Sequence, residues 1–347
     1  MKKYEKMLIW YFSGTGNARF AAYKIAEIAG QEGYDVSINN IADPKPDFSN
    51  INENCLIGFC FPTHGFNAPP IVLKFLRKLP KEKSDVFLLN TRAGLKLFKL
   101  HISGIGGIAL WLPALMLIFK GYRTIGFRPL DMPSNWISLH PGLTSNAVRF
   151  ITQHCTKTLT TFTNKIIKGH PVLNGLLWLP LDIALLPISM GYYFFGRFVL
   201  AKTFFANYNC TNCGLCMKEC PVNAIEEINK RPYWTFDCES CMKCMNNCPQ
   251  RAIETAHGFI LLVWWLAFSS IPYFLLKLLL NHQLIPESFY NNYFDLLFNS
   301  VVLITGLIVI FFAYKILHQL LRVRLFNKII TFTSLTHFKF WNRYMHK

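Results

Sequence analysis

Met7-Leu8-Ile9-Trp10-Tyr11-Phe12-Ser13-Gly14-Thr15-Gly16-Asn17 joins an apolar run of strand length to a short cluster of glycines and hydroxyls, and a helix-like pattern then runs from Asn17 to Glu32. Glycines let the backbone turn tightly enough for amide N–H groups to converge. Ser13 and Thr15 add hydroxyl donors, and the dipole of the following helix favours an anion at its start. Strand, loop and helix in that order make a site for a terminal phosphate, where the same residues without their flanks would read as a plain turn.

Working outward, candidate strands at Met7–Phe12, Asp35–Asn39, Cys55–Phe61, Val86–Asn90 and Thr124–Leu130 alternate with candidate helices at Asn17–Glu32, Pro70–Leu79 and Asn146–Ile167. That alternation is the sequence form of an α/β fold, a doubly wound parallel sheet. The Ser13–Asn17 loop resembles the phosphate loop of flavodoxins, and in element order the resemblance covers residues 1–170, expected to be a flavodoxin-like FMN-binding domain. Two further loops match in position, Pro62-Thr63-His64-Gly65-Phe66-Asn67 and Asn90-Thr91-Arg92-Ala93-Gly94. The resemblance implies that they hold the isoalloxazine ring of FMN at the carboxyl ends of the strands, while Ser13, Gly14, Thr15, Gly16 and Asn17 take the phosphate. Flavodoxins commonly place aromatic rings on both sides of the flavin. Here Phe66 is the only aromatic in either loop, and Trp136 is a candidate for the other face as well as for the core. Gly104-Ile105-Gly106-Gly107-Ile108-Ala109 fits a dinucleotide pattern, but no strand leads into it, and a closely packed helix is the better reading.

Of 11 cysteines, eight form two runs: Cys210-x2-Cys213-x2-Cys216-x3-Cys220-Pro221 and Cys238-x2-Cys241-x2-Cys244-x3-Cys248-Pro249. Three closely spaced thiolates can cap one iron–sulfur cubane, while the fourth, set apart by its longer spacing and the proline, reaches the other. The expected ligands are therefore Cys210, Cys213, Cys216 and Cys248 for one [4Fe–4S] cluster, and Cys238, Cys241, Cys244 and Cys220 for its twin. Zinc is the alternative, but it usually takes paired C-x2-C knuckles. The module looks like a bacterial ferredoxin with two [4Fe–4S] clusters, and a flavodoxin-like half joined to it resembles the EFR1-type fused flavodoxin–ferredoxin family over about residues 1–256. The remaining cysteines, Cys55, Cys60 and Cys155, read as small core residues. His257, His282 and His318 lie near span ends, a placement that does not indicate b-type haem.

The chain has 347 residues, of which 52% are hydrophobic and only 16% charged, too apolar for an ordinary soluble protein. Its 36 Lys+Arg against 19 Asp+Glu give +17, which fits cytoplasmic loops facing anionic lipid better than a nucleic-acid groove; no nucleic-acid partner is expected. Gly258–Leu280 and Leu296–Tyr314 are long and apolar enough to cross a bilayer. Ile102–Phe119 and Val172–Leu200 are apolar too, but a single crossing at either would split the sheet or part flavin from clusters. They are expected to lie on the membrane, with Lys96, Lys99, Lys120 and Arg123 near headgroups. The expected order is thus the flavodoxin-like domain, an apolar membrane-associated linker over 171–202, a ferredoxin domain over 203–256, a transmembrane hairpin over 257–315 and a basic cytoplasmic tail over 316–347. Asn281–Asp295 has no Lys or Arg, whereas seven follow between Lys315 and Lys347, so both flanks should face the cytoplasm across the inner membrane. The expected function is membrane-attached electron transfer between FMN and two clusters, with lipid and a redox partner protein or quinone as partners. No dedicated catalytic acid or base is expected for it. The rivals are a flavin-dependent reductase of a quinone or other membrane-soluble substrate, with the clusters as electron entry, and a non-redox sensor or scaffold.

Overall fold

A computed structural model describes residues 3–43, 45–49, 51–281 and 292–343. They form two compact units. The first comprises Met1–Arg197 with Glu239–Asn246 and Phe340–Lys347; the second comprises Phe198–Cys238 with Asn247–Lys339. These limits cut across the sequence-based divisions, because packing assigns the 171–202 stretch up to Arg197, and two later segments, to the first unit.

In the first unit, β1 (Lys6–Tyr11), β2 (Asp35–Asn40), β3 (Cys55–Pro62), β4 (Asp85–Leu97) and β6 (Arg123–Pro133) form a parallel sheet in the order β2-β1-β3-β4-β6. Strand alternation sends Met7 and Ile9 into one core with Ala21, Ala22 and Ile25 of α1 (Asn17–Gln31) and Ile151 and Leu159 of α4 (Ser145–Ile166). Leu8 and Trp10 enter the other core, with Val72 and Leu76 of α2 (Pro70–Lys78) and Leu117 of α3 (Trp111–Ile118). Helices therefore cover both faces, and the small residues of α1 let it lie close against the sheet. Parallel register aligns the strand ends, with Tyr11 opposite Cys60, Pro62 opposite Thr91 and Gly94 opposite Pro133. The loops expected to bind the cofactor leave from this one edge.

The expected surface helix over Ile102–Phe119 takes another form. Leu100–Ile102 is a short strand, β5, antiparallel to the end of β4. Gly104 N–H donates to Asp131 Oδ1 (2.8 Å), Gly107 is left-handed (φ 55°), and helix begins only at Trp111. The β4–β5 hairpin carries exposed Leu97 and Phe98 (87% exposed) between Lys96 and Lys99, followed by exposed Leu100. Two of the cations expected at headgroups have protein partners instead. Lys120 Nζ donates to the carbonyls of Arg77 (3.0 Å) and Leu79 (2.5 Å), and Arg123 pairs with Asp85 (2.5 Å). The 171–202 stretch is broken helix, α5 (Leu179–Ala184), α6 (Leu186–Gly191) and α7 (Arg197–Ala201), bent by 77° between Ala184 and Leu186. Pro180 and Pro187 each open a new helix start, where a missing N–H costs nothing. Buried Asp182 accepts from Trp111 Nε1 (2.9 Å), and Ser189 Oγ donates to the Phe66 carbonyl (2.6 Å).

Asp85 opens β4 almost fully buried and accepts from Tyr4 Oη (2.6 Å), Arg123 Nε (2.5 Å) and Lys3 Nζ (3.1 Å). Burial raises its pKa, but the bonds from Arg123, Tyr4 and Lys3 outweigh it and hold the carboxyl at about 2. The unfolded value is about 3.9, so this stabilisation is present above about pH 4 and is lost as pH falls toward 2. Asp85→Asn is expected to cost about 2 kcal/mol at neutral pH, since much of Arg123 is solvent-exposed and its share is screened. Hydrogen exchange along β4 checks this, and the deficit should shrink at about pH 2.5.

In the second unit β7 (Phe204–Ala206) pairs antiparallel with β10 (Ile253–Thr255), and β8 (Ile225–Ile228) with β9 (Arg231–Trp234). α10 (His257–Trp265) continues through a wide turn at Leu266–Ser270 into α11 (Ile271–Asn281), giving an apolar candidate span at His257–Leu278. α12 (Asn292–Leu320) contains the other, Asp295–Leu320. The two helices pack closely where Gly306 meets the Phe268 ring. Residues 282–291 lie outside the described residues. Beyond the expected end of that span, Tyr314, Leu317 and Leu321 are buried with Phe205 and Ala256, so the helix runs into the ferredoxin core. The expected tail is folded rather than loose. α13 (Arg324–Phe332) places Asn327 Nδ2 on the Ala206 carbonyl (3.2 Å), and Ser334 (3.1 Å) and Thr336 (2.7 Å) donate to buried Glu254. Residues after Lys339 join the first unit, where Trp341 Nε1 donates to the Ile137 carbonyl (2.6 Å), Gly142 N–H to that of Asn342 (2.8 Å) and Arg343 Nη1 to that of Met245 (3.0 Å).

Candidate cofactor sites

At the sheet edge, Gly16 (φ 97°) supplies the left-handed turn before α1, and its N–H donates to Ser13 Oγ (3.1 Å). Asn17 Nδ2 donates to the Pro133 carbonyl (2.8 Å), and Asn135 Nδ2 to Thr15 Oγ1 (2.8 Å), so the loop after β6 braces the loop after β1. Asn90 Nδ2 donates to Thr63 Oγ1 (2.7 Å), and Thr63 N–H to the Thr91 carbonyl (2.8 Å). His64 and Asn67 exchange backbone bonds (2.9 and 3.1 Å), closing the third loop as a tight turn through Gly65 and Phe66.

These loops enclose a cavity of about 110 Å³. Of the expected residues, Ser13, Gly14, Thr15, Asn17, Pro62, Thr63, His64, Thr91, Arg92 and Ala93 line it. Gly16, Gly65, Phe66, Asn67, Asn90 and Gly94 do not, and serve the turns and strand ends around it. Gly65 packs under Tyr192. Arg92 is engaged elsewhere. Its Nε donates to Asp131 (2.6 Å), and its guanidinium lies 4.0 Å from the Trp178 ring centroid. Trp136 lines the cavity and meets Tyr192 edge-on (5.6 Å, 81°). Asn135 was missed as a site residue, although its place just after the fifth strand of the parallel sheet was the available signal.

Four buried polar atoms on this lining have no hydrogen-bond partner among the described residues: Asn17 Oδ1, His64 Nδ1, Asn135 Oδ1 and Trp136 Nε1. Buried groups of this kind are normally satisfied, so they call for a ligand with both donors and acceptors. Burial pulls His64 down to about 4, so its ring is neutral near pH 7. Convergent loop amides with this mixed set fit a phosphate and a hydroxylated chain. The cavity is smaller than the roughly 300–1,000 Å³ of cofactor pockets, so a flavin ring enters only if a wall moves.

One wall is the segment Glu239–Asn246, which belongs to the first unit. Buried Glu239 accepts from Ile71 N–H (2.8 Å) in the first turn of α2, and burial pushes its carboxyl up to about 7. Cys241 then passes directly over the phosphate loop, where a Cβ on Gly14 would collide with its carbonyl.

The two cysteine runs repeat in backbone conformation 28 residues apart. Asn212 (φ 53°) matches Ser240 (51°), Gly214 (72°) matches Met242 (61°), and Asn223 (51°) matches Arg251 (48°), all left-handed. Non-glycine residues rarely adopt this conformation, and its recurrence at matched positions marks a wrap imposed by the site. Ala224 N–H donates to Cys220 Sγ (3.2 Å) and Ala252 N–H to Cys248 Sγ (3.3 Å), the kind of bond that stabilises a ligating thiolate. Within the second unit, burial first, then the charges of Cys210 and Cys248, push the Cys216 thiol up to about 11. Cys248 thus lies near the first run, as cross-ligation requires. Among the described residues no three His, Cys, Asp or Glu side chains draw close enough to hold a single ion. A cubane holds its ligands farther apart, and the donor set fits it.

Residues 209–253 match the profile of the family described as 4Fe-4S dicluster domain, and residues 9–107 that described as Flavodoxin. Among solved structures, a Streptococcus pneumoniae TIGR4 flavodoxin is similar at 14% identity over 46% of this chain and 97% of its own, with TM-score 0.31. Flavodoxin 1 from Bacillus cereus is 15% identical over 46% and 97% (TM-score 0.31), and the Megasphaera elsdenii flavodoxin 18% over 46% and 98% (TM-score 0.32). No curated protein matches the chain. The chain thus carries a flavodoxin domain and a 4Fe-4S dicluster domain, followed by two helices apolar enough to span a membrane.

Proposed function

We propose that the protein is a membrane-attached electron carrier that passes electrons between FMN and two [4Fe–4S] clusters. The observation that carries this reading is Cys241, expected to ligate a cluster, lying over Gly14 of the phosphate loop. When bound, FMN supplies one- and two-electron chemistry and the clusters one-electron chemistry; the chain binds, orients and insulates them. Gly14 and Thr15 of the loop would hold the phosphate, with Asn17 and Asn135 toward the hydroxylated chain and His64 and Trp136 toward the ring. Glu239 on Ile71 fastens the cluster-binding segment to this unit. The full chain, purified anaerobically in detergent and mixed with dithionite, tests the reading. Flavin and cluster absorbance should change together at a rate independent of protein concentration. A rate that rises with concentration would mean exchange between molecules and would overturn it.

Parity supports a two-helix hairpin as the mode of membrane attachment. Residues of one compact unit lie on one side of a bilayer, and the first unit holds residues 3–197, 239–246 and 340–343. An even number of crossings must separate these segments. That favours His257–Leu278 and Asp295–Leu320 as the crossings, and the bent 174–201 pair as lying on the surface. Lysine and arginine placement puts both flanks in the cytoplasm. Single cysteines at Thr124 and Asn146, in a background without reactive surface cysteines, should resist impermeant thiol reagents in intact cells; labelling of either would refute this topology. A second reading, direct reduction of a quinone, is favoured by Ser189 of the apolar bent helices holding the Phe66 loop. Oxidation of the reduced protein by a short-chain quinone with saturation kinetics would select it.

A further inference from the structure

Lys202, between α7 and β7, is 2% exposed, yet it makes no ion pair among the described residues. Its Nζ donates to the Trp234 carbonyl (2.5 Å) and lies 4.3 Å from the ring centroid of Phe236, 4.7 Å from that of Tyr314 and 4.9 Å from that of Tyr233. Tyr314 is locked in place by accepting from Trp234 N–H (3.3 Å) and donating to the Phe204 carbonyl (3.3 Å). A buried ammonium without a counter-charge costs several kcal/mol. Cation–π contacts of about 0.5–2 kcal/mol and one carbonyl offset only part of that. Burial accordingly pulls Lys202 down to about 8; the charge of Cys238 acts in the opposite direction and favours the ammonium, Lys315 opposes it, and Glu226 adds a smaller favourable contribution. Two of the three rings, Tyr233 and Phe236, belong to the segment that leads from β9 into buried Cys238, and Tyr314 comes from α12.

We infer that Lys202 is the built-in counter-charge of the cluster that Cys238 ligates, and that it raises the reduction potential of that cluster. This rests on the reading that the cysteine module holds [4Fe–4S] clusters. Reduction adds one electron and no proton, breaks no bond, and leaves the cluster one unit more negative. A fixed buried cation therefore stabilises the reduced form more than the oxidised one, in a site where little water screens it. The aromatic cage keeps the cation in place without a direct ion pair to a carboxylate among the described residues.

The test is a redox titration, followed by electron paramagnetic resonance, of the full chain purified anaerobically in detergent, as wild type, Lys202→Met and Lys202→Arg. In Lys202→Met one cluster should become harder to reduce by at least tenfold, about 59 mV for one electron, while the other stays put. Lys202→Arg should hold the wild-type value. Loss of one cluster in Lys202→Met with retention in Lys202→Arg would also support the assignment, since only charge separates them. Unchanged potentials in Lys202→Met at full cluster content, or equal loss in both variants, would overturn it. Wild-type protein lacking iron and sulfide for two cubanes would instead refute the underlying reading.

Discussion

Cys220→Ala is expected to abolish one cluster, and not the one built from its own sequence neighbours. The chain should lose roughly half its iron and sulfide while the centre of Cys210, Cys213 and Cys216 survives with Cys248 as its fourth ligand. The Ala224 bond to Cys220 Sγ and the Ala252 bond to Cys248 Sγ show that each fourth cysteine is prepared in the same way. The charges of Cys210 and Cys248 both act on the Cys216 thiol, which fits Cys248 serving the first run. The reciprocal variant Cys248→Ala should damage the opposite centre. Mössbauer and paramagnetic resonance spectra of the two variants should therefore be complementary. If Cys220→Ala removed the centre of the first run, the cross-ligated assignment would be wrong.

Gly14→Val should be the most damaging substitution in the flavodoxin unit. The obstacle to a Cβ there is a backbone carbonyl, that of Cys241, which no rotamer change can move aside. Either the phosphate loop or the segment above it must shift, and amides that converge on an anion lose their geometry. Losing two charge-assisted bonds of about 1.5–3 kcal/mol each corresponds to at least a hundredfold in FMN affinity. Fluorescence titration of the flavin-free protein checks this. The same variant should broaden the cluster signal that depends on Cys241, because one collision disturbs both sites. A variant with weakened FMN binding and an untouched cluster spectrum would show that the two sites are independent.

The sheet was legible because each strand is a short apolar run and each helix shows one apolar stripe. The expected Met7–Phe12, Asp35–Asn39 and Cys55–Phe61 fall within a residue of the observed β1, β2 and β3. β4 is longer than its apolar stretch, because Thr91 to Gly94 are polar or small yet pair with Leu130 to Pro133 of β6, a long-range partner that local pattern does not reveal. The phosphate loop was readable from Ser13 to Asn17 because its chemistry is local. Its cover was not. Glu239 and Cys241 look like spacers and ligands of the cysteine run, and only the tertiary fold shows one bound to Ile71 and the other lying on Gly14. Arg92 was legible as a polar group on the right loop, but its pairing with Asp131 depends on strand register. Lys202 gave no signal at all, since a lysine between apolar residues reads as a surface cation.

The return of Trp341, Asn342 and Arg343 to the first unit sets an order of events during synthesis. The indole of Trp341 needs the Ile137 carbonyl, and Arg343 needs that of Met245, both of which leave the ribosome long before it. The flavodoxin-like sheet can assemble early, but its last contacts wait until both apolar helices have been synthesised. A chain stalled before Trp341 would keep those backbone carbonyls unsatisfied. The part that begins folding first is therefore finished last, and its completion reports that the two apolar helices have been made.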